Sequence, residues 1–334
     1  MVSLNSFDRL THADYIYKCY WHHECWIRHQ VNIVNHRLKK QNQPVIKLAY
    51  VDMSAPQDLY QQTQQVLITD YWLRDKSKFC GPVFEIPRSV YGIYYMPNRK
   101  WHRNIHKDFN CFINENTLIR QLWFYSLHEK DLLDRGHVSF SGQSRSSDLS
   151  SLELFDLFHS QGCTQYDAAY QDLRTKIPFK NFVETDNLCD LMMSTKFSLV
   201  LESWWFRTDA LSYTEKTFRM LQTPRPWLLF HATGSIAALK SLGFYVYDDI
   251  VDISYDSLDT ASDYVPRQRE ILAQAQRLIN LNITESMLDH WEKKTLANCE
   301  ILKEYNATWK KDFEHVLSQA YDRAMLLPAK NIQS

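Results

Sequence analysis

The strongest constraint on the fold is a regular alternation of short apolar segments and amphipathic segments between residues 197 and 249. FSLVLES (Phe197–Ser203), PWLLFHA (Pro226–Ala232) and FYVYDD (Phe244–Asp249) have the length and the β-branched or aromatic content of buried strands. The segments between them, SYTEKTFRMLQ and GSIAALKSLG, are predicted helices. Because strands that alternate with helices pair in parallel through right-handed crossovers, this pattern predicts an α/β domain with a parallel sheet.

A similar alternation covers the preceding part of the chain. Strands are predicted within PVIKLAYVDM (Pro44–Met53), VLITDYWL (Val66–Leu73), FEIPRSVYGIYYMP (Phe84–Pro97), FNCFINE (Phe109–Glu115) and HVSFSG (His137–Gly142). A helix, TLIRQLWFYSLHEKDLLDRG, is predicted between the last two, and the chain is predicted to be helical from about residue 265. The sequence therefore predicts two Rossmann-like α/β domains, residues 1–105 and 106–275, with C-terminal helices in residues 276–334 that pack across both.

Composition disfavours several classes of function. Lys and Arg total 38 against 39 Asp and Glu, so net charge gives no general attraction to nucleic acid or to an anionic membrane. The chain has no G-x-G-x-x-G and no G-x-x-x-x-G-K-[ST] sequence, which disfavours dehydrogenases and P-loop nucleotide hydrolases. It also has no apolar run of about 18 residues, so no membrane span is predicted.

Cysteine usage indicates a reducing compartment. The seven cysteines are scattered and odd in number, which disfavours a disulfide framework and predicts a cytoplasmic protein. One segment is crowded with residues of zinc-ligand chemistry, namely Cys19, His22, His23, Cys25 and His29. Their spacing matches no known series of ligand pairs, so no metal site is predicted there.

The best candidate for a binding site follows the strand that ends near Glu202. A helix is predicted to begin at Ser212, with Thr214, Glu215 and Lys216 in its first turn. In open α/β sheets, ligands bind outside the carboxyl ends of the strands, where a helix N-terminus favours a diphosphate. Lys216 could neutralise such a group and Glu215 could accept hydrogen bonds from ribose hydroxyls. The alternative is a capping box, in which Glu215 reaches back to Ser212 and serves only the helix.

The segment from Lys196 to Phe244 resembles the donor-binding domain of the α-1,3-fucosyltransferases and related GT-B glycosyltransferases. The matching parts are an apolar strand ending in Glu202, the turn Tyr213-Thr214-Glu215-Lys216 that opens a helix, and a proline-led strand from Pro226. The match departs in detail, since Ser203 stands where an asparagine is usual. The spacing from Phe109 to the HVSFSG strand is similar to that in uncharacterised glycosyltransferase-like proteins of large viruses and phages, which would imply the cytoplasm of a host.

The segment FNCFINENTLIRQLWFYSL resembles a second part of the same family, a strand and loop followed by a helix that carries a phosphate-binding arginine, here Arg120. The resemblance implies a GT-B fold, with residues 1–105 on the acceptor side and residues 106–275 binding the donor. It implies donor binding by Arg120, Glu202, Tyr213, Thr214, Glu215 and Lys216. The donor would be a nucleoside-diphosphate sugar, with no cofactor and no obligatory metal ion, because lysine and arginine stabilise the leaving diphosphate.

An inverting reaction of this kind needs a carboxylate base in the N-terminal half of the chain. Asp52, Asp70 and Glu85 lie at or near the ends of predicted strands, where such a base is expected. The alternative for each is an ordinary solvated or capping acid, and the sequence gives only a slight preference for Asp70.

A basic and aromatic segment precedes the second predicted domain; it contains Arg99, Lys100, Trp101, His102, Arg103, His106 and Lys107. Such a segment could bind nucleic-acid phosphates or line a cleft that attracts an anionic donor. We therefore expect a glycosyltransferase acting on a glycan or another hydroxyl acceptor. The alternatives are a viral or phage enzyme that glycosylates DNA bases, and a non-catalytic module that binds nucleotides or nucleic acid.

Overall fold

The structure, a computed structural model, describes residues 48–51, 66–69, 72–73, 83–85, 95–96, 100–113, 118–140, 185–202, 210–211, 213–259 and 263–326. The chain forms two compact units. The first consists of residues 1–93 and 304–334, and the second of residues 94–303.

The first unit contains a parallel sheet of short strands. The described strands of this unit are β1 (Leu48–Val51), β2 (Val66–Thr69), β3 (Trp72–Leu73) and β4 (Val83–Glu85). The parallel sheet consists of β1, β2 and β4. Strand β2 lies between β1 and β4 and pairs with both in parallel. Parallel pairing of strands from this part of the chain is what the sequence predicts.

The second unit alternates strands and helices along most of its length. In chain order it contains β5 (Lys107–Ile113), α1 (Leu118–Glu129), a 3₁₀ turn (Leu133–Arg135), β6 (Gly136–Phe140), α2 (Thr185–Met193), β7 (Thr195–Leu201), β8 (Ala210–Leu211) and α3 (Glu215–Leu221). These are followed by β9 (Trp227–Phe230), α4 (Ser235–Ser241), a 3₁₀ turn (Ser254–Ser257), α5 (Tyr264–Ile279) and α6 (Glu285–Leu326). The last part of α6, from residue 304, belongs to the first unit.

Four strands of the second unit form one sheet in the order β6-β5-β7-β9, and every pair is parallel. Strand β6 lies next to β5 on one side, and the later strands β7 and β9 are added on the other side of β5. The direction in which strands are added therefore reverses between β5 and β7. Ligands of open α/β sheets bind beside such a reversal, at the carboxyl ends of the strands. The predicted α/β class is confirmed.

The sheet is covered by aromatic side chains of the helices. The rings of Trp123 from α1 and Tyr264 from α5 lie 5.2 Å and 5.4 Å from the ring of Phe230 in β9. Burial of a phenylalanine of this kind stabilises a fold by about 1.5–3 kcal/mol. Strand β6 can approach β5 because its first residue is a glycine: a Cβ on Gly136 would lie 2.7 Å from the ring of Phe109.

Three predicted elements differ from the observed ones. The helix predicted from Thr117 ends at Glu129, and Asp131 then adopts a left-handed φ of 53°. Helix α3 begins at Glu215 and not at Ser212. The segment from Phe244 to Asp249 forms no strand.

The reason for the missing strand is a side chain of α6. The side-chain amide of Asn298 accepts a hydrogen bond from the Tyr245 N–H at 2.8 Å and donates one to the Tyr245 carbonyl at 3.1 Å. A side chain thus supplies the bonds that a neighbouring strand would supply. Tyr247 then turns the chain with a left-handed φ of 60°.

Within the described residues, no helix combines the length and the apolar character needed to cross a membrane.

Candidate functional site

A carboxylate and an imidazole follow directly after two neighbouring strands. Glu202 follows β7 and His231 follows β9, and the Glu202 N–H donates to the Phe230 carbonyl at 3.0 Å. Both side chains are buried, with 1% and 0% of their surface exposed. Because β7 and β9 are apolar and covered on both faces, these polar side chains mark the edge where the apolar strands end.

The carboxylate of Glu202 accepts four hydrogen bonds from the start of helix α3. It accepts hydrogen bonds from the Thr214 N–H at 3.1 Å and the Thr214 hydroxyl at 2.7 Å. It also accepts hydrogen bonds from the N–H of Thr217, at 3.3 Å, and from the Thr217 hydroxyl. Hydrogen bonds to a charged group are stronger than neutral ones, so this carboxylate ties the helix to the end of β7.

The charge on Glu202 is stabilised in spite of its burial. Burial by itself raises the pKa of this carboxyl. The electrostatic influence of Lys216 and His231 and the hydrogen bonds from the Thr217 and Thr214 hydroxyls outweigh it, so that the pKa lies below its ordinary value. Glu202 is therefore ionised at neutral pH.

The capping box suggested by the sequence, with Ser212 as the cap, is not formed at the start of helix α3. The N-cap is Thr214, whose hydroxyl accepts a hydrogen bond from the Lys216 N–H at 3.3 Å. Glu215 is the first helical residue, so it does not hold the position from which a glutamate reaches back to a cap at Ser212. Glu202, which lies far back in the sequence, supplies the carboxylate instead.

This arrangement changes how an anion could bind here. The N–H groups of Thr214, Lys216 and Thr217 are already bonded within the protein. These three N–H groups are therefore not offered to a diphosphate.

The side chains of Glu215 and Lys216 are partly accessible, with 31% and 21% of their surface exposed. The Lys216 ammonium lies 3.2 Å from the Thr214 hydroxyl oxygen and 3.5 Å from the nearer carboxylate oxygen of Glu215. The predicted pair is thus present at the carboxyl edge of the sheet as adjacent charges that water, and hence a ligand, can reach.

Tyr213 links helices α3 and α4 and is buried. Its hydroxyl donates to the Ser235 carbonyl, and its ring lies edge-on to His231 at 5.3 Å and to Phe218 at 6.3 Å. In this conformation the Tyr213 side chain contacts other residues of the protein.

Arg120 lies in the first turn of α1, the helix that follows β5, and is only 3% exposed. Burial raises the pKa of the neighbouring Cys111 thiol to about 12, while the positive charge of Arg120 acts in the opposite direction. Arg120 and Lys216 therefore belong to helices that follow β5 and β7, the two strands on either side of the reversal in strand order.

No family model, curated protein or solved structure matches the chain. The assignment of residues to functions consequently depends on the geometry of the chain itself.

A second short helix at the same edge is also capped by a buried carboxylate. Asp256 accepts hydrogen bonds from the N–H groups of Ile236 and Ala237, both at 3.0 Å. Its other oxygen accepts one from the Ser235 hydroxyl at 3.2 Å and lies 3.4 Å from the Arg267 guanidinium. The N-terminus of α4, like that of α3, is thus occupied by an internal anion.

Neither His231 nor Asp256 is among the site residues predicted from the sequence. His231 could have been found, because it is a polar residue directly after the apolar run PWLLF. Asp256 could not, because it reaches α4 from a 3₁₀ turn further along the chain.

Of the three candidate bases, only Glu85 is among the described residues. Glu85 is the last residue of β4 and is the register partner of Thr69, which is also the partner of Val51. Asp52 and Asp70 lie outside the described residues, but they follow Val51 and Thr69 directly in the sequence. The choice among the three acids stays a prediction.

The basic segment is partly neutralised by acids of the second unit. The Arg103 guanidinium lies 2.6–2.7 Å from carboxylate oxygens of Glu285, Asp289 and Glu292 on α6. These three bonds raise the pKa of Arg103 above its ordinary value, with Glu292 the largest contributor. Arg103 is thus engaged by acids of its own chain, and a role of the basic segment in binding a donor or nucleic acid stays a prediction.

Other members of the segment also contact the protein, since the Trp101 indole donates to the Gln222 carbonyl at 3.2 Å and the Lys107 ammonium to the Asp134 carbonyl at 2.7 Å. Arg99 and the cysteine and histidine cluster between Cys19 and His29 lie outside the described residues.

Proposed function

We propose that the chain is a glycosyltransferase that moves a sugar from a nucleoside-diphosphate sugar to a hydroxyl acceptor, with a glycan as the expected acceptor. The two units would correspond to the acceptor and donor domains of a GT-B enzyme. The donor would bind to the second unit, at the carboxyl edge of its sheet, and the reaction would need no metal ion or other cofactor.

One observation carries the proposal. At the carboxyl end of β7, beside the reversal in strand order, the chain places a partly exposed lysine and glutamate next to each other, Lys216 and Glu215. This is the edge at which open α/β sheets bind nucleotides. An ammonium is suited to the negative charge of a diphosphate, and a carboxylate to the paired hydroxyls of a ribose.

The proposed reaction forms a bond between the acceptor oxygen and the anomeric carbon of the sugar. The bond from that carbon to the diphosphate breaks, and the diphosphate leaves with the electron pair. In an inverting reaction the acceptor proton passes to a carboxylate of the first unit, for which Asp70, Asp52 and Glu85 are the candidates. Lys216, with Arg120 as a second candidate cation, would stabilise the charge that develops on the leaving group.

The described contacts give less support to the DNA-directed alternative. That alternative depends on a basic surface that neutralises phosphates. Arg103, the centre of the basic segment, is paired with three acids of α6.

The proposal can be tested by binding. Wild-type protein and Lys216→Gln are melted with UDP, GDP, CDP and their sugar conjugates, and with a single-stranded oligonucleotide. Lys240→Gln is the matched control, because Lys240 is an exposed lysine on the next helix, paired with Asp248. The proposal predicts that one nucleotide raises the melting temperature of the wild type and of Lys240→Gln but not of Lys216→Gln. Stabilisation by the oligonucleotide alone would contradict it and favour a nucleic-acid-binding module.

A further inference from the structure

The hydroxyl of Thr214 makes more contacts than an N-cap needs. It donates to the carboxylate of Glu202 at 2.7 Å and accepts the Lys216 N–H at 3.3 Å. It also accepts a hydrogen bond from the Lys216 ammonium at 3.2 Å. A hydroxyl has one proton to donate and two lone pairs that accept, so these three contacts use its full capacity.

The orientation of the Thr214 hydroxyl is fixed by its hydrogen bond to Glu202. The carboxylate is buried at the end of β7 and accepts from the N–H and the hydroxyl of both Thr214 and Thr217. With its proton directed at Glu202, the Thr214 oxygen turns its lone pairs toward Lys216. The lysine ammonium is thereby connected to the sheet through one short side chain.

A lysine side chain is flexible, and ordering it when a ligand binds lowers affinity. An ammonium that is already held in place avoids part of this cost. Thr214 is buried, whereas Lys216 is partly exposed, so only the lysine of the two is placed to meet a ligand from solvent.

We propose that Thr214, held by Glu202, is a positioning residue that sets the ammonium of Lys216 for the diphosphate of the donor. This inference rests on the proposed function. It assigns to Thr214 a role through Lys216 rather than a contact with the nucleotide.

The test compares three variants with the wild type, using whichever of UDP, GDP or CDP binds most tightly. Thr214→Val removes the hydroxyl at nearly constant volume, and Thr214→Ser keeps it. Thr217→Val is the matched control, because the Thr217 hydroxyl also donates to Glu202 but makes no contact with the ammonium among the described hydrogen bonds. The Kd is measured by calorimetry, and KM and kcat by release of the diphosphate from its sugar conjugate.

We expect Thr214→Val to raise the Kd and the KM about tenfold with a smaller change in kcat, as loss of one charge-assisted hydrogen bond would. Thr214→Ser should restore the wild-type values, and Thr217→Val should leave Kd within about twofold. If Thr214→Val does not fold, Thr214→Gly replaces it, because glycine at an N-cap costs a helix little stability and offers no side-chain oxygen to the ammonium; the same rise in Kd is expected.

Two results would overturn the inference alone: nucleotide binding by Thr214→Val equal to that of the wild type, or an equal loss in Thr217→Val, which would indicate a general effect on the helix start. If the wild type binds none of the three diphosphates and releases none, the proposed function fails, and the inference fails with it.

Discussion

Glu202 and Thr214 are joined by two hydrogen bonds across a separation of 12 residues, one from the Thr214 N–H and one from its hydroxyl. A carboxylate at the end of strand β7 thus fixes the residue at which helix α3 begins. Burial raises the pKa of this carboxylate, and the neighbouring side chains of Lys216 and His231 lower it.

Glu202→Gln should lower the free energy of unfolding by about 2–4 kcal/mol, because it removes a buried charge that accepts hydrogen bonds from Thr214 and Thr217 and interacts with Lys216. The change is measured by urea denaturation at neutral pH. Glu215→Gln is the control: this partly exposed acid should change stability by less than about 0.5 kcal/mol. Equal effects of the two substitutions would show that the buried carboxylate has no special role.

The contribution of Glu202 should also depend on pH. Its pKa is lower in the folded protein than in the unfolded chain, so between these two values the unfolded chain binds more protons and stability rises with pH. The stabilisation is complete above the unfolded value, about pH 4.3, and is lost as pH falls through the folded value. The difference in melting temperature between wild type and Glu202→Gln should therefore be constant near neutral pH and shrink below about pH 4. A difference that persists unchanged in strong acid would contradict the assigned charge.

Arg225 should be essential for stability, although it pairs with no carboxylate among its described hydrogen bonds. Its buried guanidinium donates to four carbonyls, those of Thr195, Pro224, His102 and Met193. Since each buried carbonyl left without a donor costs about 1–3 kcal/mol, Arg225→Met should destabilise the protein by at least about 3 kcal/mol in chemical denaturation. The exposed Arg269→Met is the control; a similar small loss in both would refute the role given to Arg225.

Arg103→Met should lower the melting temperature at low salt, because it breaks the contacts with Glu285, Asp289 and Glu292. Arg103, Glu285 and Asp289 are exposed and Glu292 is partly exposed, so the deficit should shrink in 1 M salt, where the Debye length is only about 3 Å. Lys303→Met, which removes an exposed ion pair with Glu300, is compared under the same conditions. A deficit that does not depend on salt would indicate lost packing instead of lost charge.

The parallel sheet could be predicted from the sequence because its strands are short apolar runs separated by helices. The strands observed at Lys107–Ile113, Thr195–Leu201 and Trp227–Phe230 overlap the predicted ones. The local pattern of apolar residues is sufficient to predict such strands, because a strand that is buried on both faces of a sheet needs apolar side chains on both faces.

The details of the site could not be predicted because they depend on contacts between distant residues. The local pattern from Ser212 to Glu215 suggests a capping box, whereas the N-cap is Thr214, whose N–H and hydroxyl donate to the distant Glu202. In the same way, Asn298 of α6 replaces the strand partner of Tyr245. Neither contact can be predicted from the residues of the segment whose structure it changes.

The most direct test of the proposed glycosyltransferase is release of the nucleoside diphosphate from its sugar conjugate in the presence of a hydroxyl acceptor. The proposal predicts turnover by the wild type and by Lys240→Gln, and a loss of at least about tenfold in kcat/KM for Lys216→Gln. Turnover that is equally fast in Lys216→Gln would contradict the role of this lysine, and no release from any UDP-, GDP- or CDP-sugar by folded wild-type protein would contradict the proposed function.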